Sequence, residues 1–85
     1  MNKKQKKLLE AIFQKPTPAN LVWKDIESLF IALGAEVETG KGSRVTITLN
    51  NEVAVFHKPH PRKEANKGAV KATKDFLTIC GVKPC

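Results

Sequence analysis

Apolar and polar residues alternate without a break from position 44 to position 49. The apolar members are Val45, Ile47 and Leu49. This period-two pattern is typical of a β-strand with one buried face. Asn50-Asn51 follows, and asparagine is the residue after glycine that best tolerates the left-handed backbone of a two-residue hairpin turn. The pattern therefore predicts a β-hairpin whose second strand spans Glu52 to His57.

A two-residue turn determines which residues of the hairpin face one another. With the two asparagines in the turn, Val45 opposes Phe56 on the core face. On the other face Arg44 opposes His57, with Cβ atoms about 4.5–5.5 Å apart. A longer turn would slip the register by one residue and separate this pair. The sequence thus predicts a guanidinium beside an imidazole at the open end of the hairpin.

Two further segments carry apolar residues at helical spacing, and both end at a glycine. The first runs from Val22 to Leu33 and stops at Gly34. The second follows Asn66, which we expect to be its N-cap, and stops at Gly81. Their buried stripes are predicted to be Trp23, Ile26, Leu29, Phe30 and Leu33 in the first, and Val70, Thr73, Phe76, Leu77 and Cys80 in the second. A tryptophan in register with such a stripe is more often a core residue than a base-stacking one.

The order of these elements predicts an α+β fold. A lysine-rich amphipathic helix spans Asn2 to Lys15 and ends before Pro16, and a short first strand spans Ala35 to Glu38. We expect three antiparallel strands with the helices on one face and the other face open. The expected organisation is an N-terminal basic helix and Pro-containing linker over residues 1–20, followed by one domain over residues 21–85.

Charge narrows the class of partner. The 85 residues include 15 Lys and Arg against eight Asp and Glu, a formal net charge of +7, which favours an anionic partner such as nucleic acid over a merely solvated basic surface. The chain has no apolar run near the ~18 residues of a membrane span and no signal peptide, so we expect a cytosolic protein. Cys80 is expected to be a buried apolar residue and Cys85 a free thiol on a loose tail, without a metal site or a disulfide framework.

Three stretches resemble the HicA family, the toxin ribonucleases of toxin–antitoxin modules. They are the helix and its exit DIESLFIALGAEV, the glycine-rich entry GKGSR, and HPRKEANKG before the last helix. The resemblance covers roughly residues 22–83. It implies a double-stranded-RNA-binding-domain-like fold, α-β-β-β-α, to which the first helix is an addition. It also implies cleavage of mRNA without a metal cofactor, and a HicB-type antitoxin encoded alongside.

The sequence departs from the family pattern at one position of the glycine-rich entry. Gly42 and Ser43 match, but the histidine that follows them in the family, taken to be catalytic, is Arg44 here. Either the histidine has moved in this branch, or cleavage is lost and binding is kept. The hairpin register favours His57 as the moved histidine, because it faces Arg44.

Metal-free RNA cleavage needs a base that titrates near neutral pH and a cation for the phosphate. We expect His57 to be the base, kept uncharged by its cationic neighbour, and Arg44 to meet two phosphate oxygens at once. His60, between two prolines, is the expected general acid. The expected RNA contacts are Lys41, Gly42, Ser43, Arg44, Lys58 and Lys63. The opposing interpretation is that both histidines are ordinary surface residues of a basic loop.

Three functions remain open from the sequence. The first is a metal-independent mRNA-cleaving toxin, and the second is a non-catalytic RNA-binding module on the same fold. The third is an interaction domain whose open face binds a protein. An acidic reading frame next to the gene would favour the first. Partner binding that mild salt leaves untouched would favour the third, because phosphate binding weakens steeply with salt.

Overall fold

Three helices and one three-stranded sheet make up the part of the chain that the computed structural model describes, residues 2–59 and 62–84. In chain order they are α1 (Lys3–Ile12), α2 (Trp23–Ala32), β1 (Glu36–Thr39), β2 (Arg44–Leu49), β3 (Glu52–His57) and α3 (Lys67–Ile79). The strands are antiparallel in the order β1-β2-β3. This confirms the predicted α+β class and the double-stranded-RNA-binding-domain-like order of elements.

The helices lie on one face of the sheet because that face carries the apolar half of each strand. Val45, Ile47 and Phe56 are at most 5% exposed and share a core with α2 and α3. The side chain of Val37 packs against the same cluster from β1. The predicted distribution of buried and exposed strand residues is therefore confirmed.

Four aromatic rings hold the two layers together. Phe56 of β3 lies 5.7 Å from Trp23 and 6.0 Å from Phe30 of α2, measured between ring centroids. Phe76 of α3 lies 5.9 Å from Phe30 and 6.2 Å from Phe56. Tilted and edge-on aromatic pairs at these distances stabilise a core beyond the area they bury. Phe56 thus joins the open end of the hairpin to both helices.

The N-terminal helix α1 begins with a capping box and docks on the other two helices. The side chain of Asn2 accepts a hydrogen bond from the backbone N–H of Gln5, and the side chain of Gln5 accepts one from the backbone N–H of Asn2. Leu9 and Ile12 are buried in the common core. The helix ends at Ile12 with Phe13 as its C-cap, three residues before the predicted Lys15. Pro16 disfavours the helical conformation at Lys15 itself. The division of the chain near residue 20 stays a prediction.

The turns follow the predicted backbone chemistry. Asn50 and Asn51 have φ values of 52° and 66°, as a two-residue turn with both residues left-handed requires. The side chain of Asn66 caps α3 by accepting from the backbone N–H of Ala69 at 2.7 Å. No helix within the described residues is long and apolar enough to span a membrane. Cys80 is buried as predicted, whereas Cys85 lies outside the described residues.

Candidate functional site

The open end of the β2–β3 hairpin brings together the two residues that the sequence singled out. Arg44 pairs with His57, and Val45 pairs with Phe56, so the predicted register is confirmed. The backbone N–H of Lys58 donates to the carbonyl of Ser43 at 2.7 Å, which makes that neighbouring pair hydrogen-bonded. Arg44 and His57 therefore form a pair without mutual hydrogen bonds, the type in which facing side chains lie closer together.

Arg44 and His57 face away from the helices because their neighbours face inward. Val45 and Phe56 are buried against α2 and α3, and successive strand residues point to opposite faces. Both Arg44 and His57 are exposed. The pair therefore lies on the open face of the sheet, where a ligand can reach the guanidinium and the imidazole.

A short glycine-containing turn leads into this pair. Residues 40–43 connect β1 to β2, and the backbone N–H of Gly40 donates to the carbonyl of Arg44 at 2.8 Å. Gly42 has φ 69°, a conformation that glycine adopts without strain. A methyl group placed on Gly40 would lie 3.6 Å from Nε of Arg44, so the arginine side chain runs across Gly40.

On the helix side, the segment after β3 is held by a small backbone pairing. The N–H of Trp23 donates to the carbonyl of Lys63 at 2.9 Å, and the N–H of Ala65 donates to the carbonyl of Leu21 at 2.7 Å. Ala65 is fully buried. The sequence predicted only a polar connection here, because a one-residue bridge leaves no periodic pattern. This pairing brings Lys63 to the N-terminus of α2.

A surface cleft of about 280 Å³ lies at the same place. Its lining residues are Val22, Trp23, Lys24, Glu27, Lys58, Pro59 and Lys63. Trp23 is only 3% exposed, which confirms its predicted place in the core, and its Nε1–H donates to Oε1 of Glu27 at 2.6 Å. The sequence analysis did not single out Lys24 or Glu27. The one signal for Glu27 is its position four residues after Trp23, on the same side of the helix.

The predicted site residues thus fall into two neighbouring groups. Arg44 and His57 lie on the open face, beyond the turn that contains Lys41, whereas Lys58 and Lys63 line the cleft. Among the residues that the structure describes, one ion pair is within 4.0 Å, Lys4 with Asp25 at 3.6 Å. The cationic side chains of both groups are therefore available to an anion.

Two predictions about the site concern other features. His60 lies outside the described residues, so its expected role as general acid stays a prediction. Within residues 2–59 and 62–84, no group of three or more His, Cys, Asp or Glu side chains could hold a metal ion. The catalytic and RNA-binding roles assigned to the other residues also stay predictions.

Comparison with known proteins identifies the family. A family model described as the HicA toxin of bacterial toxin–antitoxin matches residues 23–78. No curated protein and no solved structure matches the chain. The match begins at the first residue of α2, contains all three strands and ends one residue before the end of α3. The chain therefore belongs to the HicA toxin family, whose members are the toxins of toxin–antitoxin modules.

Proposed function

We propose that this protein is a metal-independent endoribonuclease that cleaves mRNA and thereby inhibits translation and growth in the cytoplasm. The observation that carries the proposal is the pairing of Arg44 with His57 on the exposed face of the sheet. Membership of a toxin family supports an RNA-directed role over that of a generic basic domain. The exposed imidazole and guanidinium supply the two chemical groups that cleavage by the RNA's own 2′-hydroxyl requires.

The proposed reaction makes the 2′-oxygen the nucleophile. His57 takes the proton of the 2′-hydroxyl as the 2′-oxygen attacks the adjacent phosphorus. Arg44 binds two non-bridging phosphate oxygens and stabilises the charge that gathers on them. The bond from phosphorus to the 5′-oxygen breaks, and His60 gives that oxygen a proton. The products are a 2′,3′-cyclic phosphate and a 5′-hydroxyl end, with no oxidant or metal in the balance.

The turn and the cleft lysines would hold the RNA backbone. Lys41, Lys58 and Lys63 are exposed and can neutralise phosphates. Ser43 can donate its hydroxyl to a phosphate oxygen, and Gly42 lets the backbone approach the ligand closely. These contacts fix the position of the RNA without reading its sequence.

A second candidate function is RNA binding without cleavage. It is favoured by one observation, the presence of Arg44 where the family pattern has its histidine after Gly-Ser. On this alternative the arginine and the lysines read phosphates and 2′-hydroxyls by shape. Both functions use the same surface, so only a cleavage assay separates them.

The partner of this toxin is an antitoxin, as family membership implies. We propose that it is of the HicB type and masks the open end of the hairpin. The net charge of +7 and the exposed cations there favour an acidic antitoxin surface. Such a complex should inhibit cleavage and dissociate more readily as salt rises.

The test is cleavage of an mRNA by the purified protein, with and without EDTA, and with analysis of the ends. We expect cleavage in EDTA with 2′,3′-cyclic phosphate ends, and a rate about 10²–10⁴-fold lower for His57→Ala. Val55→Ala is the matched control, because Val55 is exposed on the same face, two residues before His57. This variant should cleave RNA at the wild-type rate. In cells, His57→Ala should also relieve growth inhibition.

Each other outcome has a defined meaning. If His57→Ala cleaves at the wild-type rate while His60→Ala is inactive, the roles of the two histidines are reversed. If the wild type binds RNA but leaves it intact, the protein is the non-catalytic binding module. Cleavage that EDTA abolishes would contradict the metal-independent mechanism.

A further inference from the structure

The cleft beside the hairpin combines features that phosphate binding alone does not require. Val22, Trp23 and Pro59 supply apolar lining, and Lys24, Lys58 and Lys63 supply cations. The same cleft also contains one carboxylate, that of Glu27. An acidic group repels phosphates, so a site built only for the RNA backbone would gain nothing from it. A cleft with apolar lining and a few oriented polar groups is typical of a site for a small organic group.

The carboxylate of Glu27 is held in one orientation and keeps free acceptor capacity. Its Oε1 accepts the indole N–H of Trp23 at 2.6 Å, and the buried indole ring anchors that contact in the core. A carboxylate has about four lone-pair sites, and this hydrogen bond occupies one. Among the described residues, no lysine lies within ion-pair distance of Glu27. The remaining lone pairs can therefore accept hydrogen bonds from a ligand.

We propose that this cleft binds one unpaired guanine base of the RNA and that Glu27 reads its Watson–Crick edge. The identification of the ligand as part of an RNA rests on the proposed function. Guanine presents two adjacent donors, N1–H and the 2-amino group, which match a carboxylate. Adenine and cytosine place an acceptor beside their amino group, and uracil has an acceptor on each side of its N–H. A carboxylate therefore attracts the Watson–Crick edge of guanine and repels at least one acceptor atom on that edge of every other base.

The size and the position of the cleft fit a single base. Its volume of about 280 Å³ lies just below the range of roughly 300–1,000 Å³ typical of drug-sized ligands. Unpaired RNA bases are commonly splayed out of the strand and read on their Watson–Crick edges. Lys58 lines the cleft and directly follows His57 in the chain, so the cleft and the Arg44–His57 pair lie at the same end of the hairpin, the cleft on the helix side and the pair on the open face. The substrate class is then single-stranded RNA that carries an unpaired guanine.

The only tryptophan of the chain offers a direct measurement, because Trp23 lines the cleft. Titration of the full-length protein with GMP, IMP, AMP, CMP and UMP, followed by tryptophan fluorescence, reports occupancy. We expect GMP to bind tightest. IMP lacks the 2-amino group, and the loss of one hydrogen bond to a charged acceptor should weaken it roughly tenfold or more.

Glu27→Gln tests the carboxylate itself. The glutamine oxygen can still accept the indole N–H of Trp23, but its amide nitrogen is a donor that faces the donors of guanine. The preference of GMP over IMP should disappear in this variant. Glu10→Gln is the matched control, since Glu10 is an exposed carboxylate on α1 and should leave the preference unchanged. Thermal melting of both variants checks that the fold is kept.

Two results would overturn the inference. The first is equal binding of GMP and IMP to the wild-type protein, a comparison that needs no variant. The second is equal affinity for all nucleotides and for inorganic phosphate, which would leave the cleft as a phosphate site only. Neither of these binding measurements depends on catalysis. A protein that binds GMP through Glu27 but leaves RNA intact would therefore contradict the proposed ribonuclease activity and support the guanine site. A protein that cleaves RNA but shows no nucleotide preference in this titration would support the ribonuclease activity and contradict the guanine site.

Discussion

The two ends of the β2–β3 hairpin use their polar groups in opposite ways. At the turn, the side-chain amide of Asn50 donates to the carbonyl of Cys80 at 2.7 Å. The thiol of Cys80 donates to the carbonyl of Leu49 at 3.3 Å. Burial raises the pKa of this thiol, and the nearby negative charge of Glu52 raises it further. The turn end is therefore bound to the C-terminus of α3 by contacts within the chain.

At the open end the charged side chains remain available to a ligand. Arg44, His57 and Lys58 are exposed, and among the described residues none of them forms an ion pair. Below them, Val45 is fully buried and Phe56 is only 5% exposed. The difference teaches that apolar side chains anchor this end to the helices, while its charged side chains are free to bind a ligand. Stability should therefore depend on the buried residues and the turn, and ligand binding on the exposed charged side chains of the open end.

The largest effect on stability should come from the anchor at the open end. Phe56→Ala removes the ring that contacts Trp23, Phe30 and Phe76, and should lower the free energy of unfolding by about 3–5 kcal/mol. Urea denaturation measures this loss. Val55→Ala, at a neighbouring residue that is 53% exposed, should change the same quantity by about 0.5 kcal/mol or less. Similar losses for the two variants would contradict the anchoring role of Phe56.

The next effect concerns the proposed binding of RNA at the open end. Lys58→Ala with Lys63→Ala should weaken affinity for all RNA sequences alike, because lysines that neutralise phosphates carry no sequence information. The slope of log affinity against log salt should become shallower by about 1.4, because each of the two lost phosphate contacts on a single strand contributes roughly 0.7. Filter binding at several salt concentrations measures the slope.

The matched control for that slope is a pair of lysines on α1. Lys3 and Lys7 are exposed, and α1 packs on the helices rather than on the sheet. Replacing both by alanine changes the net charge by the same amount as the Lys58 and Lys63 double variant. The salt slope should nevertheless stay closer to that of the wild type. Equal slopes for the two double variants would mean that overall charge, and not the open end, binds the RNA.

At the turn end, substitution should affect stability and not activity. Asn50→Ala removes the hydrogen bond to Cys80 and puts alanine at φ 52°, so it should cost about 1–2 kcal/mol. Asn50→Gly keeps the turn and loses only the hydrogen bond, at about 1 kcal/mol. Thermal or urea denaturation measures both changes in the free energy of unfolding. A loss of RNA cleavage in the folded Asn50→Gly protein would show that the two ends are coupled.

The smallest effect distinguishes the two glycines near the open end. Gly42→Ala forces alanine into a φ of 69° and should cost about 1 kcal/mol. Gly40→Ala has an ordinary backbone, and its methyl group would meet Nε of Arg44 at a van der Waals distance of 3.6 Å. It should therefore be nearly neutral in a urea titration. A larger loss for Gly40→Ala than for Gly42→Ala would contradict this account of the turn.

Much of the fold follows from local patterns in the sequence. The alternation from 44 to 49 and the two asparagines determine the hairpin, its register and the facing of Arg44 and His57. The apolar stripes determine which sides of α2 and α3 are buried, and Asn66 determines where α3 begins. These features are predictable because each depends on residues within a few positions of one another, where side-chain periodicity and turn chemistry act directly.

Other features depend on contacts between distant parts of the chain. The pairing of residues 63–65 with 21–23 creates the cleft, and Asn50 reaches Cys80 across 30 positions. The lysines of the cleft come from three separate segments, and only their packing brings them around the carboxylate of Glu27. No local pattern encodes such contacts, because they form only after the apolar faces of the sheet and the helices have come together. The sequence by itself thus determined the Arg44–His57 pair, and the tertiary structure alone decided that a cleft with a carboxylate lies beside it.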